Sequence, residues 1–498
     1  MSPAMTDTPK LVTRRRALAA AFGLASVAAL AKFGTSGTSF AEETATTATL
    51  AGGTLPIPDQ LVATVEDGVS VFALTAQSGS TSSLVSGETV STAGYNGTSL
   101  GPTMLVSDGE QVRFEVTNGL DEDTTVHWHG LHIAPSGDGG PQNIIEPGAT
   151  WSPATTINQG EACTLWYHPH GLGTTADQVA LGLAGMLIVD DGSAANAALP
   201  TEYGADDIPL IMQSTGVLTS GAFVTTNAGF TASGTTLKFL VNGASATDST
   251  PTLEVAYNRV RLRLLNASLA DIVTVALSDG SAITQVASDA GLLAAPLSVT
   301  SLRLTPGERA EIVLDLTSTT TATLRATVRS STNGTRYTVS MVQISSTGTD
   351  TPADLPATLN TIADLDTTGA TARKFTFSNS GNTFLINGVA GTTMDIMNAN
   401  AIMTTVGATE VWTLVNSSTT IYHNFHVHDV PFQVVSIGGA APTGANLGLR
   451  DTIELPPSTT VVIKLQFTDY SDTEYMYMLH CHNVIHEDDG MMLGLMVM

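Results

Sequence analysis

The sequence predicts an all-β protein built from three successive β-sandwich domains. Polar and apolar residues alternate at 111–116 and at 259–264, and this period places one strand face on a core and the other in water. Short strands separated by frequent turn residues favour sandwiches over helical folds. A repeated order of turn signals predicts that the chain contains three copies of one domain.

The repeat consists of three signals in a fixed order. An Asn-Gly pair comes first, at residues 96–97, 242–243 and 387–388. A strand then ends in asparagine, at Asn118, Asn266 and Asn416. A Pro-Gly or Pro-Pro turn follows, at residues 147–148, 306–307 and 456–457. These spacings predict domains at 55–195, 205–345 and 370–498, with a linker at 346–369.

Composition excludes several functional classes. The chain has 498 residues and a formal net charge of -26, which argues against a nucleic-acid partner because phosphate binding needs a basic surface. Two cysteines exclude a disulfide framework and a four-cysteine zinc site.

Residues 1–41 have the pattern of an export signal. Arg14, Arg15 and Arg16 precede an apolar run at 17–31, which is shorter than the roughly 20 residues of a membrane span. Twin arginines in this position favour the Tat route, and Ser39-Phe40-Ala41, with small residues at its first and third positions, is the predicted cleavage site. We expect an exported protein, periplasmic or extracellular and cell-surface, with no membrane span in the mature chain. A Sec signal or an uncleaved anchor is the alternative.

The histidines are concentrated in four short windows. All 11 fall within residues 127–132, 168–170, 423–428 and 480–486, and none lies between 171 and 422. The windows belong only to the first and third predicted domains. A metal site that uses all four windows must therefore lie between these two domains, with the middle domain as a spacer.

The last window is the most specific. Cys481 lies between His480 and His482, and His486 and Met491 follow. On an extended strand the two histidines face one way and the cysteine the other. A cysteine with two histidines and a weak axial methionine is the ligand set of a blue-copper site. A buried cysteine beside surface histidines is the alternative.

At these residues the sequence resembles the three-domain multicopper oxidases, especially bacterial copper-efflux oxidases and spore-coat laccases. The motifs are HWHG at 127–130, WYHPH at 166–170, HNFHVH at 423–428 and HCHNVIHEDDGMM at 480–492. The resemblance spans nearly the whole mature chain. It implies three consecutive cupredoxin-like Greek-key β-sandwich domains and four copper ions: one type 1, one type 2 and a type 3 pair.

The resemblance also implies a role for each residue of these motifs. The implied type 1 ligands are His423, Cys481, His486 and axial Met491. The implied type 2 ligands are His127 and His426. The implied type 3 ligands are His129, His168 and His482 on one ion, and His170, His428 and His480 on the other.

Other residues in or near the motifs also carry expectations. Cys481 would pass electrons inward through its bonded neighbours His480 and His482. Asp138 and Glu487 are predicted to relay protons, the alternative being solvated or hydrogen-bonded carboxylates. His132 matches no family ligand, and Cys163 is predicted to be a buried free thiol.

The resemblance implies a monomeric oxidase that couples four one-electron oxidations of a small reducing substrate to the reduction of dioxygen to water. The predicted substrates are phenols and aromatic amines, as for laccases. A cuprous oxidase in copper tolerance, oxidising Cu(I), is the alternative. Enteric copper-efflux oxidases place Asp and Met where this chain has Thr419 and Ile421 and carry a Met-rich insert that is not seen here. A non-enzymatic cell-division or copper-binding role is disfavoured because every ligand position is filled.

Two groups of methionines bear on the Cu(I) alternative. Met394, Met397 and Met403 precede the third histidine window, and Met476 and Met478 precede the fourth. Soft thioethers can bind Cu(I). We expect these side chains to pack in cores instead.

Overall fold

The computed structural model describes residues 53–81, 84, 89–226, 228–331 and 334–498. The predicted export signal at 1–41 therefore lies outside the described residues. Strands make up 48% of the structure and helices 7%, which confirms the all-β prediction. Among the described residues, no helix has the length and apolar character needed to cross a membrane.

The first domain contains two sheets. Its strands are β1 (Gln60–Leu61), β2 (Thr64–Glu66), β3 (Val69–Thr81), β4 (Val90–Tyr95), β5 (Thr103–Ser107), β6 (Gln111–Asn118), β7 (His127–His129), β8 (Thr150–Trp151), β9 (Ala154–Thr156), β10 (Cys163–His168) and β11 (Gly185–Asp190). The sheet orders are β1-β5-β11-β10-β7 and β2-β3-β6-β8, with β4 paired to β3 and β9 to β6. Two helices, α1 (Thr175–Leu181) and α2 (Ala194–Ala197), flank β11.

The middle domain repeats this arrangement with longer strands. They are β12 (Asp207–Leu218), β13 (Thr235–Val241), β14 (Ala244–Ser245), β15 (Thr252–Val255), β16 (Arg259–Asn266), β17 (Ile272–Leu277), β18 (Ile283–Ser288), β19 (Gly291–Val299), β20 (Leu302–Leu304), β21 (Arg309–Asp315), β22 (Thr321–Ser330) and β23 (Gly334–Ser346). The sheet orders are β14-β13-β12-β16-β21-β18-β19 and β15-β23-β22-β17-β20.

The third domain also has two sheets. Its strands are β24 (Thr371–Ser380), β25 (Thr383–Ile386), β26 (Ile402–Thr404), β27 (Thr409–Asn416), β28 (His423–Val427), β29 (Phe432–Ile437), β30 (Thr452–Leu455), β31 (Thr460–Gln466), β32 (Tyr477–His480) and β33 (Met492–Val497). The sheet orders are β25-β24-β27-β31-β29 and β26-β33-β32-β28-β30. Its helices are α3 (Met394–Ala399) and α4 (Val484–Asp488). Short 3-10 helices across the chain are Pro135–Gly137, Gly229–Thr231 and Gly444–Leu447.

Each pair of sheets encloses its own apolar core. Phe114 and Trp128 stack in the first core, with ring centroids 4.1 Å apart. The middle core is mainly aliphatic, and the third contains Trp412 against Phe425. Cys481 and Met491 belong to this third core, so the predicted type 1 ligands lie inside a packed domain.

The turn asparagines show why the sequence repeats. Asn96, Asn242 and Asn387 all adopt left-handed backbone conformations, with φ of 56°, 50° and 53°. Asparagine tolerates this region better than most residues. In each copy the side-chain oxygen accepts a hydrogen bond from a backbone N–H of the domain's parallel strand pair. The repeat therefore has a structural cause, while the boundaries 55–195, 205–345 and 370–498 stay a prediction.

One expectation from alternation is wrong. The pattern at 259–264 predicts that Arg261 and Arg263 face water, but their exposed fractions are 0% and 3%. Both arginines form ion pairs with Glu311, and Arg263 also bonds to Thr164 of the first domain. The polar face of β16 is buried at an interface between domains, where ion pairs replace solvent.

The stretch between Ser346 and Thr371, all of which the structure describes, contains no helix or strand. Side chains of the other domains hold it in place. Asn360 donates to Glu161 at 2.6 Å, and Gln433 donates to the carbonyl of Ala363 at 2.5 Å. The predicted linker at 346–369 is therefore an irregular segment held against the domains by hydrogen bonds.

Candidate metal centre

The structure gathers the predicted ligands into two buried groups. Eight residues form what we call the histidine cluster: His127, His129, His168, His170, His426, His428, His480 and His482. Four residues form what we call the cysteine site: His423, Cys481, His486 and Met491. None of these side chains is more than 2% exposed.

Two pairs of strands build the histidine cluster. His127 on β7 lies opposite His168 on β10, and His426 on β28 lies opposite His480 on β32. Stacked imidazole rings then join the first domain to the third. His127 stacks on His428 and His129 on His426, each with centroids 3.8 Å apart. The cluster therefore lies between the first and third domains, as the distribution of histidines predicts.

Three of these rings are fixed by backbone carbonyls. Nδ1 of His127 lies 2.9 Å from the carbonyl of Asp138, and Nδ1 of His168 lies 2.8 Å from that of Pro169. Nδ1 of His426 lies 2.9 Å from the carbonyl of Asp451. In each ring Nε2 is buried and has no hydrogen-bond partner.

Such orphaned atoms need an explanation, because an unsatisfied buried polar group costs about 1–3 kcal/mol. His482 adds two more, since neither of its ring nitrogens has a partner. Imidazole nitrogens directed inward with their opposite nitrogens engaged are typical of metal ligands. The residues present therefore fit a metal.

A second trio of rings converges on one point. Nε2 of His480 lies 3.2 Å from Nε2 of His170 and 3.3 Å from Nε2 of His428. Burial is the main cause of the low pKa of His170, about 3. Neutral imidazole is the form that binds metal, so His170 is ready for an ion.

His129 differs from the other rings of the cluster. Its Nε2 lies 3.1 Å from Oδ1 of Asp451, and its Nδ1 is the atom without a partner. Its ring centroid lies 4.8 Å from that of His482 and 5.8 Å from that of His168. His129, His168 and His482 do not all bring possible ligand atoms within 4.8 Å of one another. His129 instead meets that distance with His127 and His168, and with His426 and Asp451.

Asp138 and Glu487 both reach the backs of cluster histidines. Oδ2 of Asp138 lies 2.7 Å from Nδ1 of His428, and its Oδ1 lies 3.3 Å from Nδ1 of His127. Oε2 of Glu487 lies 3.1 Å from Nδ1 of His480, and its Oε1 lies 3.5 Å from Nδ1 of His170. Burial alone would raise the pKa of Glu487, but the neighbouring histidines lower it to about 2.

The cysteine site is compact. Nδ1 of His423 lies 3.2 Å from Nδ1 of His486, and Sγ of Cys481 lies 3.8 and 3.7 Å from these two atoms. Met491 is tied to the same loop, since the N–H of Cys481 donates to its carbonyl at 3.0 Å. Burial raises the pKa of the Cys481 thiol to about 12, so its thiolate forms only beside a cation.

Local structure explains how His486 reaches this site. Asn483 caps the single-turn helix α4 by accepting from the N–H of His486. The ring of Phe384 stacks on His486 with centroids 3.9 Å apart. A cap on one side and an aromatic ring on the other therefore fix the imidazole.

The other residues considered in the sequence lie outside both groups. His132 bridges two carboxylates: Nδ1 lies 2.6 Å from Asp429 and Nε2 lies 2.8 Å from Asp469. Cys163 is a buried free thiol, as predicted. Met397, Met476 and Met478 are packed in a buried methionine group, whereas Met403 is 41% exposed.

Sequence reasoning missed several residues that surround these groups, and three of them matter most here. Asp451 reaches His129 and His426, Arg309 binds Asp451, and Asn424 contacts Sγ of Cys481 at 3.4 Å. Asn424 lies inside a motif, and its position beside His423 was the only signal. Asp451 and Arg309 lie in ordinary strand and turn sequence and carried no signal.

Buried imidazoles around a cysteine thiol define a metalloprotein of the copper-binding class. Comparisons with known proteins agree. Three models described as multicopper oxidase match residues 77–194, 214–347 and 354–498. This chain belongs to the multicopper oxidase family, and the predicted cupredoxin-like fold and oxidoreductase class are confirmed.

Three relatives illustrate the range of the family. Multicopper oxidase mco of Staphylococcus aureus is 33% identical over 439 residues, covering 86% of this chain and 88% of that protein. Cell division protein FtsP of Yersinia pestis is 34% identical over 416 residues, covering 80% and 83%. The structure of the laccase-like multicopper oxidase CueO of Ochrobactrum sp. superposes with a TM-score of 0.78 at 31% identity, covering 89% of this chain and 100% of that chain.

Members of the family use copper, dioxygen and a reducing substrate. The protein is therefore a copper-dependent oxidase that transfers electrons from a reductant to dioxygen.

Proposed function

We propose that the protein is a laccase-like oxidase that holds four copper ions and oxidises phenols and aromatic amines. The observation that supports this most strongly is the set of buried imidazole nitrogens with no partner, in a cluster fed by two domains. Copper bound at these residues would gain and lose single electrons, which is the chemistry that joins a one-electron reductant to dioxygen.

The proposed copper assignment follows the motifs. The type 1 ion would be held by His423, Cys481, His486 and Met491. The type 2 ion would be held by His127 and His426. The type 3 pair would be held by His129, His168 and His482, and by His170, His428 and His480. The convergence of Nε2 atoms at His480 supports the last of these trios.

The chain joins the two groups covalently. Cys481 of the cysteine site is bonded to His480 and His482 of the histidine cluster. We assign Cys481 the role of passing electrons along this short peptide path.

We propose that two carboxylates handle protons. Oδ2 of Asp138 can hold the Nδ1 proton of His428, and Oε2 of Glu487 can hold that of His480. Thr175 donates to Oε1 of Glu487 at 3.0 Å and fixes that carboxylate. We propose that both carboxylates deliver protons to dioxygen as it is reduced, which fits their burial beside the cluster.

The surroundings of the cysteine site favour an organic reductant over Cu(I). A small cleft reaches His423 between the middle and third domains, and Tyr422 lies at its edge. Within the described part of the chain, its lining includes no methionine and no carboxylate. Cu(I) prefers soft thioether or thiolate ligands, which this approach lacks.

The cuprous oxidase alternative rests on the methionine group. Met394 is half-buried beside the buried Met397, and this group packs near β32 and not at His423. A cell-division role, which the name of the FtsP relatives suggests, is disfavoured as the sole function because both groups retain their full sets of candidate ligand side chains.

One comparison of substrates tests the proposal. Turnover is measured as oxygen consumption with 2,6-dimethoxyphenol and with Cu(I), each with and without added Cu(II). We expect phenol oxidation that needs no added copper. Phenol oxidation that depends on added Cu(II), together with faster turnover of Cu(I), would establish the cuprous oxidase instead.

We also propose that the protein is exported through the Tat route and acts as a monomer in the periplasm or outside the cell. The support is the Arg14–Arg16 sequence before the apolar run. Replacing Arg14, Arg15 and Arg16 with lysine should retain the protein in the cytoplasm, as measured by fractionation. Unchanged export would remove the Tat assignment.

A further inference from the structure

The middle domain supplies no histidine, yet its Arg309 binds Asp451, a residue that contacts the histidine cluster. Arg309 begins β21 and is 1% exposed. Its two Nη atoms bind Asp451 of the third domain, at 2.7 Å to Oδ1 and 2.6 Å to Oδ2. This bidentate pairing fixes the plane of the carboxylate as well as its position.

The remaining donors of Arg309 are also used. Nε donates to the carbonyl of Thr164 in the first domain at 2.8 Å, and the Nη atoms donate to the carbonyls of Gly307 and Asp289. All five N–H groups of the guanidinium therefore have acceptors, and these come from all three domains. The side chain has no freedom to turn away from Asp451.

Asp451 in turn holds one ring from each side of the cluster. Its Oδ1 lies 3.1 Å from Nε2 of His129, and its backbone carbonyl lies 2.9 Å from Nδ1 of His426. These two rings stack on each other with centroids 3.8 Å apart. A shift of Asp451 would therefore move two cluster histidines together.

The contact with Asp451 also decides which nitrogen of His129 faces the cluster. In His127, His168 and His426, Nδ1 contacts a backbone carbonyl and Nε2 has no hydrogen-bond partner. In His129 the nitrogens are exchanged: Nε2 contacts Asp451, and Nδ1 has no partner. A hydrogen bond to one ring nitrogen fixes the tautomer and so selects the ligating atom. Thr452 donates to the same Oδ1 at 2.9 Å, but among the described residues only Arg309 binds both oxygens.

We propose that Arg309 is a positioning residue of the metal centre: through Asp451 it holds His129 with Nδ1 toward the cluster and keeps His129 stacked on His426. The middle domain is then part of the metal centre and not only a spacer. This inference rests on the proposed copper assignment, since it gives His129 and His426 the role of ligands.

The test compares two buried arginines of the middle domain. Arg309→Lys keeps the charge but cannot form the bidentate pair. Arg261→Lys is the matched control, because Arg261 is also fully buried and pairs with Glu311 and Asn196 but touches no histidine. Asp451→Asn is a second variant that preserves side-chain shape if Arg309→Lys does not fold.

The measurements are copper content, the electron paramagnetic resonance spectrum and the blue absorption band, on full-length copper-loaded protein. For Arg309→Lys and Asp451→Asn we expect cluster copper to bind about tenfold more weakly, or its magnetic coupling to be lost. The blue band should persist, because Arg309 contacts none of His423, Cys481 or His486. Arg261→Lys should match the wild type in all three measurements.

The outcomes separate this inference from the proposed function. Wild-type protein that binds copper normally, with Arg309→Lys and Asp451→Asn unchanged in cluster spectra, overturns the role of Arg309 alone. Equal loss of cluster copper in Arg261→Lys also overturns it, since a buried ion pair at the interface would then suffice. Wild-type protein without cluster copper or a blue band overturns the proposed function itself.

Discussion

Asp138 and His428 lie 290 residues apart in the chain, yet Oδ2 of Asp138 is 2.7 Å from Nδ1 of His428. The contact joins the first domain to the third, and both side chains are fully buried. Because Nδ1 of His428 is engaged, its Nε2 is the atom that faces His480. One carboxylate thus orients a proposed ligand from another domain, beside the cluster where we propose that dioxygen is reduced.

Asp138→Asn should slow dioxygen reduction by roughly 10- to 100-fold while leaving the blue band intact. An amide keeps the shape of the side chain but cannot carry a proton. Turnover at saturating phenol and the visible spectrum measure the two effects. Asp395→Asn, at an exposed position on α3, is the control. Equal turnover in both variants would remove Asp138 from the mechanism.

Cys481→Ser should abolish the blue colour and the oxidase activity, because a hydroxyl does not supply the thiolate that the cysteine site requires. Cys163→Ser is the matched control, since Cys163 is equally buried but lies on β10 away from His423 and His486. We expect it to keep both properties and to lose about 1–3 kcal/mol of unfolding free energy. An active, blue Cys481→Ser protein would contradict the type 1 assignment.

The bridge from His132 to Asp429 and Asp469 predicts a pH-dependent stability. Burial acts to lower the pKa of His132, but the two carboxylates raise it above its ordinary value. Burial raises the pKa of Asp429 to about 6, and Tyr470 and Tyr477 also face the pair. The stabilisation from protonated His132 is fully present below its unfolded pKa of about 6.5 and is lost as pH rises through the higher folded pKa.

His132→Asn should therefore lower the free energy of unfolding by about 1–3 kcal/mol near pH 6 and by less as the pH rises. Denaturant unfolding of copper-loaded protein at several pH values measures the difference. A destabilisation that is constant with pH, or that grows toward alkaline pH, would show that His132 is not protonated in the bridge.

Asn424→Ala should shift the blue band and lower stability by about 1–3 kcal/mol. The Asn424 amide donates to the carbonyl of Pro306 at 2.7 Å, and its oxygen accepts from the N–H of Asn483 at 3.0 Å. It thus ties the loop of Cys481 to the middle domain. Asn379→Ala, at an exposed position on β24, should change neither property. An unchanged band in Asn424→Ala would show that this tie does not set the geometry of the thiol.

Local motifs predicted which side chains gather in the two buried groups. His480, Cys481 and His482 are consecutive, and a strand places them on alternating sides without help from the rest of the fold. The repeated turn asparagines likewise predicted three domains. Each asparagine accepts a hydrogen bond from a backbone N–H of a nearby strand, so the signal recurs in every copy. Both signals depend on contacts that the nearby sequence determines.

The parts that sequence did not predict depend on distant partners. Arg309 and Asp451 are 142 residues apart, and His132 and Asp429 are 297 apart. Arg261 has the alternation of a solvent-facing residue and is buried only because another domain covers it. An interface between domains buries polar residues without changing the period-two pattern of the strand. Alternation alone therefore cannot show which polar residues are buried there.

The division of the cluster between the two ends of the chain sets an order of assembly. His127, His129, His168 and His170 are synthesised before the middle domain, and His426, His428, His480 and His482 only after it. A nascent chain that stops at residue 345 holds half of the cluster and none of the cysteine site. Complete assembly of the proposed metal centre would therefore require that the chain has been synthesised through Met491 and that the third domain has docked on the first.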